Sequence, residues 1–310
     1  MKLLPALLLW AGMSLTLVGQ TDYYDVVAEP GDGIYSILRK QGLDPVTYYE
    51  TFLNANLENI KNGSQLHEGR TYKIPVVDDS FKKTGVKVQL IDKKETPIFD
   101  DELANMSLKS RTLGNAIYYL ILESPASKNK FIADIANNLA ASLMVHGAKV
   151  YVFGSGEENL SQSNPETAAK EKMGQYIEAI NKRYLQNSGK YQRLLVIRAN
   201  GLIENGKMDV AVYHHQKSEN SQRFAENIQK VFKDNSVSNR SYKDVERIFE
   251  DRNSLYLATN TLPAVSLLTI DGNSKTNSPN GIPVRSDKNN FTSLITSGIL
   301  KDYADLEIED

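Results

Sequence analysis

From residue 115 onward the apolar positions follow two periods in turn. AIYYLIL (116–122), AKVYVFG (148–154), RLLVIR (193–198) and PAVSLLTI (263–270) are short, nearly continuous apolar runs, the pattern of strands buried on both faces. MDVAVYHH (208–215) reads as a further strand. Between the runs, KFIADIANNLAASLMVHG (130–147) repeats Phe131, Ile135, Leu139 and Leu143 at helical spacing and stops at Gly147. EKMGQYIEAINKRYL (171–185), SQRFAENIQKVFKD (221–234) and FTSLITSGILKDYADL (291–306) read as helices in the same way. Strands separated by amphipathic helices predict an α/β domain with a mixed or mostly parallel sheet covered by helices on both faces. In such sheets ligands gather at the carboxyl ends of strands, here Leu122 to Pro125, Arg198 to Asn200 and the end of PAVSLLTI. Arg198 stands out, because an arginine ending a buried run needs an exposed strand end, an ion-pair partner or a functional role.

The first part of the chain has a different pattern. Short β-type runs, YDVV and TYKIPV, bracket two helical stretches between residues 24 and 76; the first carries Ile34, Ile37 and Leu38, and the second opens on Asp44 and Pro45, an N-cap followed by a first-turn proline. This predicts a small β-α-α-β unit. Residues 78–111 are rich in charge and poor in periodicity, and read as a linker with short strands, GVKVQLI (85–91) being the clearest. DGNSKTNSPNG (271–281) reads as a surface loop.

Composition narrows the setting. Residues 1–20 have one lysine, a long apolar stretch and small residues near Gly19, the layout of a secretory signal peptide; no other run is comparable, so no transmembrane segment is expected after cleavage. The chain has no cysteine, which removes disulfides, thiolate ligands and a lipidated N-terminal cysteine. Of 36 basic and 38 acidic residues, only Lys2 leaves with the signal, so 35 face 38 and the mature balance is −3. That argues against a nucleic-acid partner.

Specific residues in the small unit resemble the LysM module, a peptidoglycan- and chitin-binding fold. They are Tyr24, Pro30-Gly31-Asp32, Ile34 and Ile37, Asn54 as the asparagine after the second helix, and Gly69 to Tyr72 with Ile74 and Pro75. The resemblance implies a glycan groove lined by Gly31, Asp32, Gly33 and Ile34 on one side and by Leu66, His67 and Glu68 on the other. Gly33 replaces the family's usual threonine and removes a hydroxyl donor. Without the resemblance, PGD is a turn in which Gly31 supplies a backbone shape that few residues tolerate.

The second part resembles the zinc-dependent N-acetylmuramoyl-L-alanine amidases, and more closely their exported, LysM-bearing relatives typical of Bacteroidota. PIF (97–99), LGNAIYYL (113–120), HGAKVYVF (146–153), KYQRLLVI (190–197), DVAVYHHQKS (209–218), NR (239–240) and LPAV (262–265) run in family order. The resemblance implies domains at 1–20 (signal), 22–77 (LysM-like), 78–111 (linker) and 112–310 (amidase-like). Active members hold zinc through a His, a Glu and a second His, leaving one position for a water that a further Glu deprotonates. Aligned on flanking residues, this chain has Ser124 or Ala126 at the first His, Lys130 at the Glu, Arg198 at the second His and Leu268 at the catalytic Glu. Two of these are cations without a lone pair to give, and leucine moves no proton.

The four histidines offer no ready substitute. His67 lies in the small unit, His146 is expected to interact with a helix dipole, and His214 and His215 are adjacent on a strand and so face opposite ways. Ser124 beside Glu123 has no histidine near it in sequence, and the phosphate-loop pattern GxxxxGK[ST] is absent. The expectation is a pseudo-amidase with no catalytic residues, metal or cofactor. It would be exported to the periplasm and associated with the outer membrane, binding peptidoglycan or scaffolding an envelope protein complex. The alternatives are a divergent peptidoglycan hydrolase with a non-standard site, and docking on an envelope machine with glycan contact minor. Lys130 and Arg198 are expected to stand in for the metal's charge, stabilised by Glu123, Asp134 or Asp209.

Overall fold

A computed structural model describes residues 22–60, 65–90, 94–123, 130–154, 165–200, 207–238, 241, 251–272, 281–285 and 287–309. The proposed signal lies outside them, as do Ser124 and Ala126. The small unit is β1 (Tyr23–Val27), α1 (Ile34–Lys40), α2 (Pro45–Ala55) and β2 (Thr71–Pro75), and its two strands pair antiparallel from Tyr23↔Pro75 to Val27↔Thr71. Gly31 takes the left-handed conformation (φ 84°) that turns the chain from β1 into α1. Asp44 caps α2 by accepting from the Thr47 amide at 3.2 Å. Ile34, Ile37, Leu38, Phe52, Tyr72 and Ile74 form the core of the unit.

Asn56, which the sequence reading passed over, ties this unit together. Its Nδ2 donates to the Phe52 and Lys73 carbonyls, both at 2.8 Å, and its Oδ1 accepts from the Lys73 amide at 2.7 Å. The side chain therefore closes the last turn of α2 and stands in for a strand partner to β2. Asn54, the residue first matched to this role, is exposed. The two differ by about 200° around the helix at 3.6 residues per turn, so only the second points to the strands.

The large sheet has eight strands in the order β10-β8-β9-β7-β5-β6-β3-β4. β3 (Gly85–Val88), β6 (Lys149–Phe153), β5 (Ala116–Glu123), β7 (Tyr191–Asn200) and β9 (Ala264–Asp271) are parallel. β4 (Glu95–Pro97) pairs antiparallel with β3 on one side and β8 (Lys207–His214) antiparallel with β9 on the other, while β10 (Ile282–Arg285) pairs antiparallel with β8 and so runs the same way as the central strands. One face packs on α4 (Lys130–Met144), α6 (Glu219–Asp234) and α8 (Lys288–Glu309), with Leu120, Leu122, Ile197 and Leu268 pointing into that core. The opposite face carries Ile121, Val196 and Leu267 and packs on α5 (Pro165–Gln186) and α7 (Arg252–Asn260). The fold is therefore the expected mostly parallel sheet with helices on both faces.

Residues 78–111, expected as a linker with short strands, supply to the large sheet both β4 and β3, which lies within the stretch GVKVQLI read as a strand. Val86 and Val88 are buried there although neighbouring lysines hide the pattern. α7 and β10 were not foreseen: α7 is a short helix in a polar stretch, and β10 follows directly on the segment read as loop. The small unit also packs on this domain. α3 (Phe81–Thr84) begins where the Phe81 amide donates to the Gly42 carbonyl at 2.5 Å, Ser80 Oγ donates to the Gln41 carbonyl at 3.2 Å, and Arg111 reaches Thr47 Oγ1 at 3.2 Å.

Replacing Asn56 with Ala removes one buried and two partly buried hydrogen bonds and leaves Lys73 main-chain groups without these partners, so it should destabilise the unit by roughly 2–3 kcal/mol. Asn54→Ala, at an exposed position, should stay within about 0.5 kcal/mol of wild type. Amide exchange at β1 and β2 together with urea unfolding checks both values; equal effects at the two sites would refute the assignment.

Candidate functional site

Glu123 and Arg198 are register partners at the carboxyl ends of β5 and β7. Partners in adjacent parallel strands share a face, and alternation along β7 places Arg198 with Val196 on the α5/α7 side. The guanidinium donates through Nε to Glu123 Oε2 at 2.8 Å and through Nη2 to the same oxygen at 2.5 Å. Nη2 also donates to Ser254 Oγ at 2.7 Å, and Nη1 to Asp251 Oδ2 at 3.1 Å. Asp251 is the N-cap of α7, where its other oxygen accepts from the Ser254 amide at 2.9 Å. One arginine thus binds two strand ends to the start of a helix. This explains how a charge can end a buried run: Arg198 keeps 23% of its side chain exposed and spends the rest on partners.

Two carboxylates around one guanidinium leave the cluster with a formal charge of −1. Partial burial pushes the Asp251 carboxyl up. The Ser254 amide and hydroxyl and the Arg198 guanidinium outweigh that and hold it below the ordinary aspartate range. Burial works against the Arg198 charge too, but Glu123 and Asp251 outweigh it and raise its pKa further. Glu123 Oε1 is buried without a hydrogen-bond partner among the described residues.

The other residues singled out at the amidase-like site do not join this cluster. Leu268 is fully buried and pairs with Ile197, on the face opposite Arg198, so the two side chains do not share a pocket. Lys130 is exposed at the first residue of α4, the helix that covers that opposite face, and among the described residues it makes no hydrogen bond or ion pair with the cluster. Ser124 and Ala126 lie outside the described residues. Of the carboxylates considered as charge partners, Glu123 takes the role. Asp134 pairs with Lys288 across α4 and α8, and Asp209 is not among the partners of Arg198. Asp251 and Ser254 were missed because α7 was; their sequence signal is the Asp-x-x-Ser spacing of an N-cap with its third residue.

These residues do not fit a zinc ion. A guanidinium has no lone pair, and the two carboxylates beside it are committed to it. Among the described residues no group of three His, Asp or Glu side chains is placed to hold a metal. His146 contacts Ser110 Oγ at 2.8 Å, and burial and Lys109 push its pKa down. His214 ends β8 with Nδ1 3.1 Å from the His215 carbonyl, and His215 already lies beyond the strand.

In the small unit the two expected loops do meet, through a bridge between Gly33 and Gln65. Gly31, His67 and Glu68 are exposed there, Gly33 and Leu66 half-buried. Asp32 and Ile34 turn inward. The Asp32 side chain is 3% exposed and accepts from the Glu29 amide at 2.9 Å, Ser36 Oγ at 3.0 Å and Lys40 Nζ at 2.8 Å. Ile34 is 1% exposed, a core residue at the first position of α1, so its side chain cannot line a groove.

No family model matches the chain, and no curated protein does. Among solved structures, the CwlD amidase from Clostridioides difficile in complex with the GerS lipoprotein is 14% identical, with a TM-score of 0.43, over 62% of this chain and 99% of that one. An N-acetylmuramoyl-L-alanine amidase from Clostridium difficile 630 is 12% identical (TM-score 0.39) over 63% and 99%. A metallo-carboxypeptidase from Burkholderia cenocepacia is 9% identical (TM-score 0.37) over 62% and 57%. Similarity at this level carries no functional assignment.

A depressed aspartate pKa contributes stability above the ordinary aspartate range and loses it as pH falls through the folded value. Arg198→Met should therefore cost about 2 kcal/mol at pH 7, because it leaves two partly buried carboxylates unpaired. The gap to wild type should narrow below about pH 4, as Asp251 takes up a proton. Urea unfolding of both proteins at neutral and acid pH measures it; a gap that does not change with pH would contradict the ion-pair account.

Proposed function

We propose that this chain is a non-catalytic, amidase-like protein of the bacterial cell envelope that binds or organises peptidoglycan without cutting it. The observation that carries the reading is Arg198. It falls at the position where the enzymes the sequence resembles have a zinc-ligand histidine, and its guanidinium is held between Glu123 and Asp251. A guanidinium fixed there between two carboxylates has no lone pair to give and offers no open coordination position, so there is no metal-bound water to activate. The substitution of a guanidinium for the metal rests on Arg198 alone.

Two further features support this reading. The amidase-like segments are collinear through the α/β domain, and the N-terminal residues have the layout of an export signal. No described helix is long and apolar enough to cross a membrane. In the small unit, glycan contact would fall to the exposed edge formed by Gly31, His67 and Glu68, with Asp32 holding the loop in shape from within. Periplasmic residence and a scaffolding role in an envelope complex belong to the same proposal.

Purified protein incubated with peptidoglycan should co-sediment with it, release no stem peptide and carry only substoichiometric zinc. His67→Ala with Glu68→Ala should weaken sedimentation without changing thermal stability, whereas Asp32→Ala should lower stability by about 1–2 kcal/mol by leaving the Glu29 amide without its acceptor and Lys40 with Glu29 as its one remaining carboxylate partner. Stoichiometric zinc together with released peptide would overturn the proposal in favour of a divergent hydrolase.

A further inference from the structure

A cleft of about 860 Å³, sharing no lining residue with the Arg198 cluster, lies between the carboxyl end of β3, Glu95 of β4 and one flank of α5. That volume suits a small ligand. Its walls hold two acidic and two basic side chains, so it favours neither a simple anion nor a simple cation. One pair is already spent: Arg183 is bound to Glu95, donates to the Ala179 carbonyl at 2.8 Å and lies 5.2 Å from the centre of the Tyr151 ring. The other pair is open. Glu178 and Lys182 are exposed, and neither has a partner among the described residues. Four residues apart on one helix, their Cβ atoms stand about 6 Å from each other.

The strand beside them supplies main-chain groups. β4 is the last strand of the described sheet. The Gln89 amide donates to the Lys94 carbonyl and the Ile98 amide to the Gly85 carbonyl, with Lys87↔Thr96 in register between them. Antiparallel alternation then turns the N–H and C=O of Glu95 away from β3, toward the open edge. Pro97, two residues on, has no N–H, which ends any added ladder there. The edge therefore offers the N–H and C=O of Glu95 to a short extended main chain.

We propose that this cleft binds zwitterionic dipeptides and tripeptides, with the peptide main chain on Glu95, its ammonium toward Glu178 and its carboxylate toward Lys182. At about 3.3–3.6 Å per extended residue, a chain of two or three residues brings its two charged ends within reach of both side chains. Leu90 and Ala179 provide the apolar surface for small side chains. The proposal does not rest on the reading of the strand-end cluster, because the cleft shares no residue with it.

The test is a titration of the isotopically labelled full chain, followed by amide chemical shifts, with trialanine, N-acetyl-trialanine and trialanine amide. Trialanine should give saturable shifts at Leu90, Glu95 and Gln175. Each blocked peptide should bind about threefold more weakly, the worth of one exposed ion pair. Lys182→Met should weaken trialanine and leave the amide unchanged; Glu178→Gln should weaken trialanine and leave the acetylated peptide unchanged. Absence of saturable shifts at these positions, equal affinity for all three peptides, or variants that weaken all three alike would overturn the proposal. Neither zinc content nor peptidoglycan sedimentation bears on this result, so the two proposals fail separately.

Discussion

A parallel sheet cannot leave either face in water, and this constraint shapes the whole α/β domain. β5, β6, β7 and β9 are apolar on both sides because α4, α6 and α8 cover one face and α5 and α7 the other. Charge is thereby driven to the strand ends. Arg198 shows how that works: the same strand that buries Val196 and Ile197 releases a guanidinium one residue later, where Glu123 and the N-cap of α7 receive it. Burial of the strand and placement of the charge are two results of one packing arrangement.

The same contacts give α7 its attachment. A nine-residue helix is too short to be stable alone in water, and it needs both a cap and tertiary contacts. Asp251 provides the cap and pairs with Arg198, Ser254 closes the triangle, and Leu257 anchors the helix in the core shared with Val196 and Leu267. Removing the guanidinium loosens both the strand ends and the helix that covers them. In the amidase reading, this is how a fold that has lost a metal's organising charge can keep its strand ends ordered.

Much of this was legible in the sequence where the signal was a period. The long apolar runs and the four-apart pattern of α4 identified strands and helices closely, and Gly147, left-handed at φ 93°, stops α4 as its position implies. Short elements with mixed composition were less legible. β3 could be read as a strand from GVKVQLI but not its membership of the large sheet, and α7 has few apolar positions until its partners are known. At the site, Arg198 was visible as a charge out of place, but Asp251 and Ser254 were not, because their connection to it crosses more than 50 residues. Facing was lost as well. Alignment put Arg198, Lys130 and Leu268 in one set, whereas strand alternation and helix layering separate them, and Ile34 moved from the groove to the core for the same reason.

The central claim is that Arg198 and Glu123 act as one unit at the strand ends. A double-mutant cycle with Arg198→Met and Glu123→Gln, read by urea unfolding at neutral pH, tests it most directly. A shared ion pair predicts a coupling of about 1–3 kcal/mol, with the double variant more stable than the sum of the single losses implies. Additivity to within about 0.5 kcal/mol would mean that the two residues stabilise the fold independently, and would contradict the account.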